Sequence, residues 1–576
     1  MTARRRQDFD LDQALVAPGF TPRHGDVPAL LDRVASDADN AALAERALLR
    51  VSELAVAALI ERMGQRMNER TGQPAGGDEP AGRARLLRLA GNLAAHAPGD
   101  ALIACLAGCL ADGEERVRRA AATALGKVRD HDVSSALAGA LAAEPSASVQ
   151  RALIEALGKA GGAEALAALD QHASASADGQ HASASADGQH AGADGPGSET
   201  SHGIARAHLR ARLMADRTVR RAEPSVIDSE RVPARLQHIA VRCRAGLERF
   251  VLDELGAAQP RPHRDGPGGA RVELTLTEPL AWLFRSRTML SFAFPLRELP
   301  VPAPGDADAL AAAVVTAITS TEARDIFAGY TRGPVRYRMA WAGGGKRRAL
   351  IFRIAAAVRE RRPELVNDPT QSLWDVVIYE APGKVRVELG PRVEDPRFAY
   401  RRTDVPAASH PTVAAALARA AGVQPDDVVW DPFVGSGLEL CERSLLGPYR
   451  TLIGSDRDPV ALAAAADNLA AAGVPGERRI ILAGDAVSLS PPARPTLIIT
   501  NPPLGRRVER TRLLPSMLDR FIERAASLLA PRGRLVWISP FPARTLDVAQ
   551  RCGLTLTLAQ NVDLGGFTAG LQAFRR

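Results

Sequence analysis

Two short stretches carry residue types whose spacing could do chemistry. The first is Asp431-Pro432-Phe433-Val434-Gly435-Ser436-Gly437, and the second, seventy residues on, is Asn501-Pro502-Pro503-Leu504-Gly505. Gly435 and Gly437 let the chain turn tightly and let its backbone approach a ligand at the start of a helix. In the second stretch, the Asn501 side-chain oxygen and the Pro502 carbonyl can both accept hydrogens from an amine. An exocyclic amine conjugated to an aromatic ring is a poor nucleophile. Two fixed acceptors hold its lone pair toward an electrophilic methyl group for in-line displacement. Pro502 and Pro503 stiffen the loop, so the acceptors stay aimed. No metal ligand set is needed, and Asn501, Pro502, Pro503 and Leu504 are the candidate catalytic residues.

Regularly alternating elements would position these stretches. Asp427 to Asp431 reads as a buried strand and Leu438 to Leu446 as the helix that follows. Thr451 to Ser455 is a second strand ending at Asp456, where an acid can hydrogen-bond a ribose diol, with Asp458 as the alternative. Val460 to Ala471 is helical. Ile480 to Ala483 is a third strand running into Gly484-Asp485-Ala486, where a carboxylate can accept from an adenine amine. Thr496 to Thr500 is a fourth strand that delivers Asn501. Ser516 to Ala530 is a helix, Arg534 to Ser539 a fifth strand, and Thr555 to Ala559 with Phe567 to Phe574 a closing antiparallel hairpin. The candidate cofactor set is Asp431, Phe433, Gly435, Gly437, Asp456, Asp485 and Ala486. The glycine pattern departs from GxGxxG and lacks the Lys-Ser/Thr of a P-loop, so nucleotide phosphates are not the favoured ligand. Each aspartate taken singly reads equally as a cap or turn residue; their order and spacing argue for a site.

With 576 residues the chain exceeds a single core, so three or four domains are expected. Its net charge of +7, with Arg far outnumbering Lys, fits a phosphate-bearing partner or simply an Arg- and Ala-rich genome. Five scattered cysteines form no CxxC, so neither a zinc site nor a disulfide framework is indicated and a reducing cytoplasm fits. The basic start, Met1 to Arg6, is not followed by an apolar segment, and no run of about 18 apolar residues predicts a membrane span.

Residues 1–25 read as a polar tail. Residues 26–170 are Ala/Leu-rich with helical period. Val117-Arg118-Arg119-Ala120 through Ala124-Leu125-Gly126-Lys127 aligns, 32 residues on, with Val149-Gln150-Arg151-Ala152 through Ala156-Leu157-Gly158-Lys159. Leu89-Ala90-Gly91-Asn92 is a weaker third copy. Such a period with two helices per unit predicts an α-solenoid whose units stack and leave a concave surface for a partner. Residues 171–203 are low-complexity: Gln171 to Gly179 is repeated verbatim at 180–188. His172, His181 and His190 invite a metal reading, but their nine-residue spacing favours a duplicated linker. Residues 204–234 read as a connecting segment with an Arg-rich helix over 204–221 (Arg206, Arg210, Arg212, Arg217, Arg220, Arg221) that either touches a polyanion or, the favoured reading, presents a solvated face. Residues 235–400 look α+β and hold 25 Arg+Lys against 19 Asp+Glu, so +6 of the chain's +7 lies there. Lys346, Arg347 and Arg348 follow three glycines, a phosphate grip or a solvated hairpin tip.

Three resemblances follow from these residues. The 26–170 pattern resembles short bacterial HEAT repeats. Cys243-Arg244-Ala245-Gly246-Leu247-Glu248, Arg285-Ser286-Arg287 and the run from Asn367-Asp368-Pro369 to Tyr400-Arg401 make 235–400 resemble the ferredoxin-like plus THUMP arrangement of RNA-modifying enzymes. Across 401–576, DPF-GSG, the acid Asp456, the Asp485 turn and the NPP-G-R motif are similar in order to the class I methyltransferase domain of THUMP-containing RNA guanosine-N2 methyltransferases. The resemblance implies a doubly wound Rossmann-like domain, S-adenosylmethionine as cofactor, and guanosines of transfer or ribosomal RNA as substrates. The family usually has Tyr or Phe where this chain has Leu504. An aromatic there stacks on a flipped-out base, worth roughly 1–3 kcal/mol; Phe433, Phe541 and Trp537 are the candidate substitutes.

The expected architecture is therefore a HEAT-like solenoid, a ferredoxin-like/THUMP-like α+β module and an α/β class I methyltransferase domain in a cytoplasmic RNA methyltransferase. RNA is the expected partner, with a protein partner on the repeats as a second. Two other functions fit the same motifs: transfer to DNA bases or a protein glutamine, and a catalytically weak scaffold that binds RNA or protein.

Overall fold

The computed structural model describes the chain apart from residues 1–10, 18, 38, 65–78, 97, 130, 185–195, 257–261, 265–268, 302–304, 346, 407 and 506–512. Parts of the expected tail and linker, and Lys346, therefore lie outside the described residues. The chain divides into two compact units. One comprises Met1–Ser225, Gly333–Arg338 and Lys346–Ser372; the other comprises Val226–Arg332, Met339–Gly345 and Leu373–Arg576. No described helix is long and apolar enough to cross a membrane.

The first unit is a stack of helices. Its inner row is Pro80–Ala94, Glu115–Leu125, Ala147–Ala160 and Pro196–Arg221, each packed on the next. The outer row is Asp100–Gly108, Ser134–Ala143 and Gly162–Ala184. The repeated glycine of the sequence motif sets the spacing. A β-carbon on Gly91, Gly126 or Gly158 would lie 2.7, 3.1 or 2.5 Å from the Cα of Ala124, Ala156 or Ala211 in the next rung. Small residues at the crossing let neighbouring helices close while Leu86, Leu125, Leu153 and Leu157 fill the shared core.

This arrangement revises the reading of 171–234. The duplicated tract is not a plain linker: helix Gly162–Ala184 runs into it, and Pro196–Arg221 is the next rung of the stack. The tract interrupts a helix pair. The Arg-rich helix is not a purely solvated face either. Arg212 pairs with Asp170 at 2.7 Å, Arg221 grips buried Asp368 through two contacts of 2.6 Å, and Arg210 lies over the Phe352 ring at 5.4 Å.

In the second unit, strands Gly269–Leu276, Gln237–Arg244, Met289–Pro295, Lys384–Pro391 and Trp374–Ala381 lie side by side in that order, each antiparallel to its neighbour. Leu280–Arg285 forms a 3-10 turn and Thr321–Tyr330 a helix. Much of the positive charge here is spent internally: buried Glu388 is ringed by Arg242, Arg271 and Arg386.

Residues from Pro411 onward form a doubly wound domain. Its strands are β1 (Val428–Asp431), β2 (Thr451–Asp456), β3 (Arg479–Ala483), β4 (Leu497–Thr500), β5 (Arg534–Ser539), β6 (Thr555–Asp563) and β7 (Thr568–Arg575). Its helices are α1 (Pro411–Ala421), α2 (Leu438–Leu446), α3 (Pro459–Ala471), α4 (Leu514–Leu528) and α5 (Pro542–Arg551). The sheet order is β3-β2-β1-β4-β5-β7-β6, with the first five strands parallel and β7 antiparallel to both neighbours. The chain reverses its winding between β1 and β4. That switch point is where a crevice opens beyond the strands' carboxyl ends. At the opposite end, buried Asp427 accepts from Arg443 at 2.7 Å, Arg534 at 2.8 Å and Thr496 at 2.9 Å, tying β1 to α2, β5 and the approach to β4. Burial alone would raise this carboxyl; the two guanidiniums outweigh it and hold it below its ordinary value.

Candidate active site

A cavity of about 1210 Å³ opens at the carboxyl ends of β1 to β4. Nine of the eleven expected site residues line it: Phe433, Gly435, Asp456, Asp485, Ala486, Asn501, Pro502, Pro503 and Leu504. Asp431 and Gly437 do not. Asp431 is fully buried beneath the floor. One oxygen accepts from Phe433 N at 3.1 Å and Thr500 Oγ1 at 2.6 Å, so it braces the glycine loop against the end of β4. Gly437 has φ of +80°, and a β-carbon there would lie 3.1 Å from the Cα of Ala465. It serves the turn and the close approach of α3. Both residues shape the loop rather than face the cavity.

Asp456 stands at the centre. Its Oδ2 accepts from Gly435 N at 3.1 Å and its Oδ1 from Asp458 N at 3.1 Å. Each carboxylate oxygen has a second lone pair, leaving acceptors for a vicinal diol. The alternative, Asp458, is the N-cap of α3, accepting from Val460 N at 2.9 Å. Asp485 accepts from Val487 N at 3.0 Å and faces Arg457 at 3.5 Å.

Asn501 is oriented by a short chain of hydrogen bonds. Its Nδ2 donates to Ser409 Oγ at 2.9 Å, and Ser409 donates to the carboxylate of Glu439 on α2. A serine hydroxyl has one proton, so donating it to Glu439 makes Ser409 an acceptor toward Asn501. That fixes which way the amide points. Asn501 Oδ1 is left buried with no partner among the described residues. A buried unsatisfied acceptor costs about 1–3 kcal/mol, so its persistence marks a place for an incoming donor.

Residues 399–569 match a protein family described as RMKL-like, methyltransferase domain. This part of the chain is a methyltransferase domain. HEAT repeats match residues 75–158 and 100–186. The tRNA (guanine(6)-N2)-methyltransferase of Thermus thermophilus is 36% identical over 159 residues, which cover 27% of this chain and 46% of that protein. The chain thus spans less than half the length of this curated relative. Among solved structures, TrmN from Thermus thermophilus is 21% identical, covering 59% of this chain and 99% of that one, with a TM-score of 0.44. SMU.472 complexed with SAH is 14% identical, with 59% and 98% covered and a TM-score of 0.45.

The residues of the methyltransferase domain fit the cofactor its class uses. The Asp456 acceptors suit a ribose diol, and Asp485 beside Ala486 suits an adenine edge. Open glycine backbone at Gly435 admits a close ligand. Asn501, whose Oδ1 has no partner among the described residues, lines the same cavity.

Residues outside the expected set complete the site. Ser409 and Glu439 position Asn501; nothing in the spacing of Ser409 and Asn501 reveals their contact. Glu439 is buried, and burial pushes its carboxyl up to about 7. Burial, with Glu439 adjacent, also raises Asp431 well above its ordinary value. His410 caps α1, accepting from Thr412 N at 3.3 Å; burial and then Arg244 lower it to about 4, so it is neutral at pH 7. Arg244 reaches the cavity from strand Gln237–Arg244, inside the Cys243–Glu248 run already singled out. Phe567, in the turn between β6 and β7, supplies a ring to the cavity wall. Of the three substitutes considered for the missing aromatic, Phe433 lines the cavity but packs edge-on against Phe521 at 5.3 Å; Trp537 is fully buried, and Phe541 lies outside the lining.

Proposed function

We propose that the chain is an S-adenosylmethionine-dependent RNA methyltransferase that acts on the exocyclic N2 amine of a guanosine in transfer or ribosomal RNA. The observation that carries this reading is the buried, partnerless Asn501 Oδ1, aimed by Ser409. S-Adenosylmethionine, when bound, supplies an electrophilic methyl group. Asp456 would hold its ribose hydroxyls, and Asp485 with Ala486 its adenine. Asn501 Oδ1 and the Pro502 carbonyl accept the two amine hydrogens and hold the nitrogen lone pair in line. Phe567 stacks on the flipped base where Leu504 offers only apolar contact, and Arg244 meets a flanking phosphate. The guanosine assignment is supported by the name of the Thermus thermophilus relative. Residues 235–400 are read as a ferredoxin-like plus THUMP-type capture module, on the motif likeness and the antiparallel strand order.

The test is nucleoside mass spectrometry on transfer and ribosomal RNA fractions from a deletion strain, complemented with the wild-type protein or with Asn501→Ala. One N2-methylguanosine should vanish, return with the wild-type protein and stay absent with the variant. Unchanged methylated guanosines in both fractions would overturn the reading.

A further inference from the structure

The solenoid carries a groove of its own, with a cavity of about 790 Å³ on the face of helices Pro80–Ala94, Glu115–Leu125 and Ala147–Ala160. Six lining residues are cationic: Arg85, Arg88, Arg116, Arg119, Lys127 and Arg151. Glu155 is the one anionic residue among them. The remaining lining is Ala, Ser, Thr, Gly and Ile, with no aromatic ring.

The repeat creates the cluster. Arg119 and Arg151 occupy equivalent places 32 residues apart, so stacking equivalent helices sets them side by side. Arg88, Arg116, Arg119 and Arg151 are all exposed. Arg88 and Arg116 have no hydrogen-bond or ion-pair partner among the described residues. Arg119 donates only to Ser148, at 3.1 Å. Arg151 meets Glu155 at 3.3 Å through an exposed i,i+4 contact, which holds little of its charge. Lys127 donates to Asn92 at 2.6 Å, and burial lowers its ammonium below the ordinary value, with Lys159 and Arg88 acting in the same direction. Other arginines of the solenoid are paired, as Arg118 is with buried Glu144 at 2.8 Å and Arg62 with Asp32 at 2.8 Å. In the groove the fold holds like charges together: Arg85 pairs with Asp37 at 3.5 Å, while Arg88, Arg116 and Arg119 carry no ion pair among the described residues.

We propose that this groove binds the phosphate backbone of RNA. Guanidinium forks match phosphate geometry, and a single-sign groove concentrates a polyanion. A protein partner would need anchors to bury, and the groove offers neither rings nor large apolar side chains. With no stacking platform, the contact reads no base; it is sequence-independent and salt-dependent. The choice of RNA over DNA rests on the function proposed above. The binding itself is measured without catalysis, so the two readings fail separately.

The experiment titrates the full chain into fluorescent bulk transfer RNA across a salt series, following anisotropy. The variant R88A/R116A/R119A/R151A should bind at least tenfold more weakly. Its plot of log affinity against log salt should be shallower by about 3, since each lost phosphate contact removes roughly 0.7–0.9. The corresponding four-lysine variant should keep the slope, which a merely structural role would not require. If the alanine variant fails to fold, judged by circular dichroism, R88A/R116A tests the same point at half the slope change. An unchanged slope overturns the proposal. So does RNA binding that stays intact while binding of poly-glutamate is lost, which would assign the groove to an acidic protein.

Discussion

Glu439 ties the site's geometry to pH. It lies on α2, buried, with the Ser409 hydroxyl on one oxygen; the titratable groups facing it are Asp431 from β1 and Glu442 from its own helix. Its carboxyl sits at about 7 against an ordinary 4.5. The folded chain therefore holds a proton between those values that the unfolded chain has lost. Stability from this group is fully present below pH 4.5 and declines as pH rises through 7. A gap of roughly 2.5 units at 1.36 kcal/mol per unit makes the loss about 3 kcal/mol. Glu439→Gln removes the titration while its amide oxygen still accepts from Ser409. The variant should match the wild-type protein at pH 4.5 and be more stable by up to about 3 kcal/mol at pH 8, measured by urea unfolding followed through tryptophan fluorescence. Glu439→Leu removes the acceptor, so Ser409 is free to donate to Asn501 Oδ1 instead. That variant should lower kcat about tenfold with KM for S-adenosylmethionine unchanged. An equal stability difference between Glu439→Gln and wild type at both pH values would refute the titration. Full activity in Glu439→Leu would refute the orienting role.

Three further outcomes are expected. Asn501→Ala should lower kcat by about 10²–10³-fold, as loss of one aimed polar group does at other sites, with S-adenosylmethionine affinity by calorimetry within about twofold. Phe567→Ala should raise KM for RNA by the roughly 1–3 kcal/mol of a base stack, about 5- to 150-fold, and Phe567→Trp should restore it; steady-state methyl transfer reads both. Asp427→Ala leaves two buried guanidiniums without their shared carboxylate and should destabilise the domain by about 3–5 kcal/mol in urea unfolding.

Local pattern carried far in this chain. The glycine turn after β1, the acid after β2, the Asp485 turn and the Asn501-Pro502-Pro503 loop each depend on residues close in sequence, and nine of eleven expected site residues line one cavity. The 32-residue period identified the solenoid because each rung repeats the same small-residue contact. What failed locally did so for physical reasons. Asp431 by its motif belongs to the cofactor set, but it is buried under the loop, where one oxygen accepts from Thr500 Oγ1 and the Phe433 amide. The duplicated tract has no apolar stripe and so looks like a linker in sequence, whereas the rung beyond it shows only in the approach of Gly158 to Ala211.

By itself the sequence determined which chemistry is available: the parallel sheet, its crossover helices, the loops at the strand ends and the residue types on them. Those follow from hydrophobic period, glycine and proline, all of which act over a few residues. Tertiary structure alone decided which distant side chains complete the site. Ser409 meets Asn501 across 92 positions, Phe567 arrives on the β6–β7 turn, and Arg244 comes from another module. Packing of separate elements makes these contacts, and no local spacing encodes them. The same holds for the cationic groove, where an arginine or two per rung means little until the rungs stack.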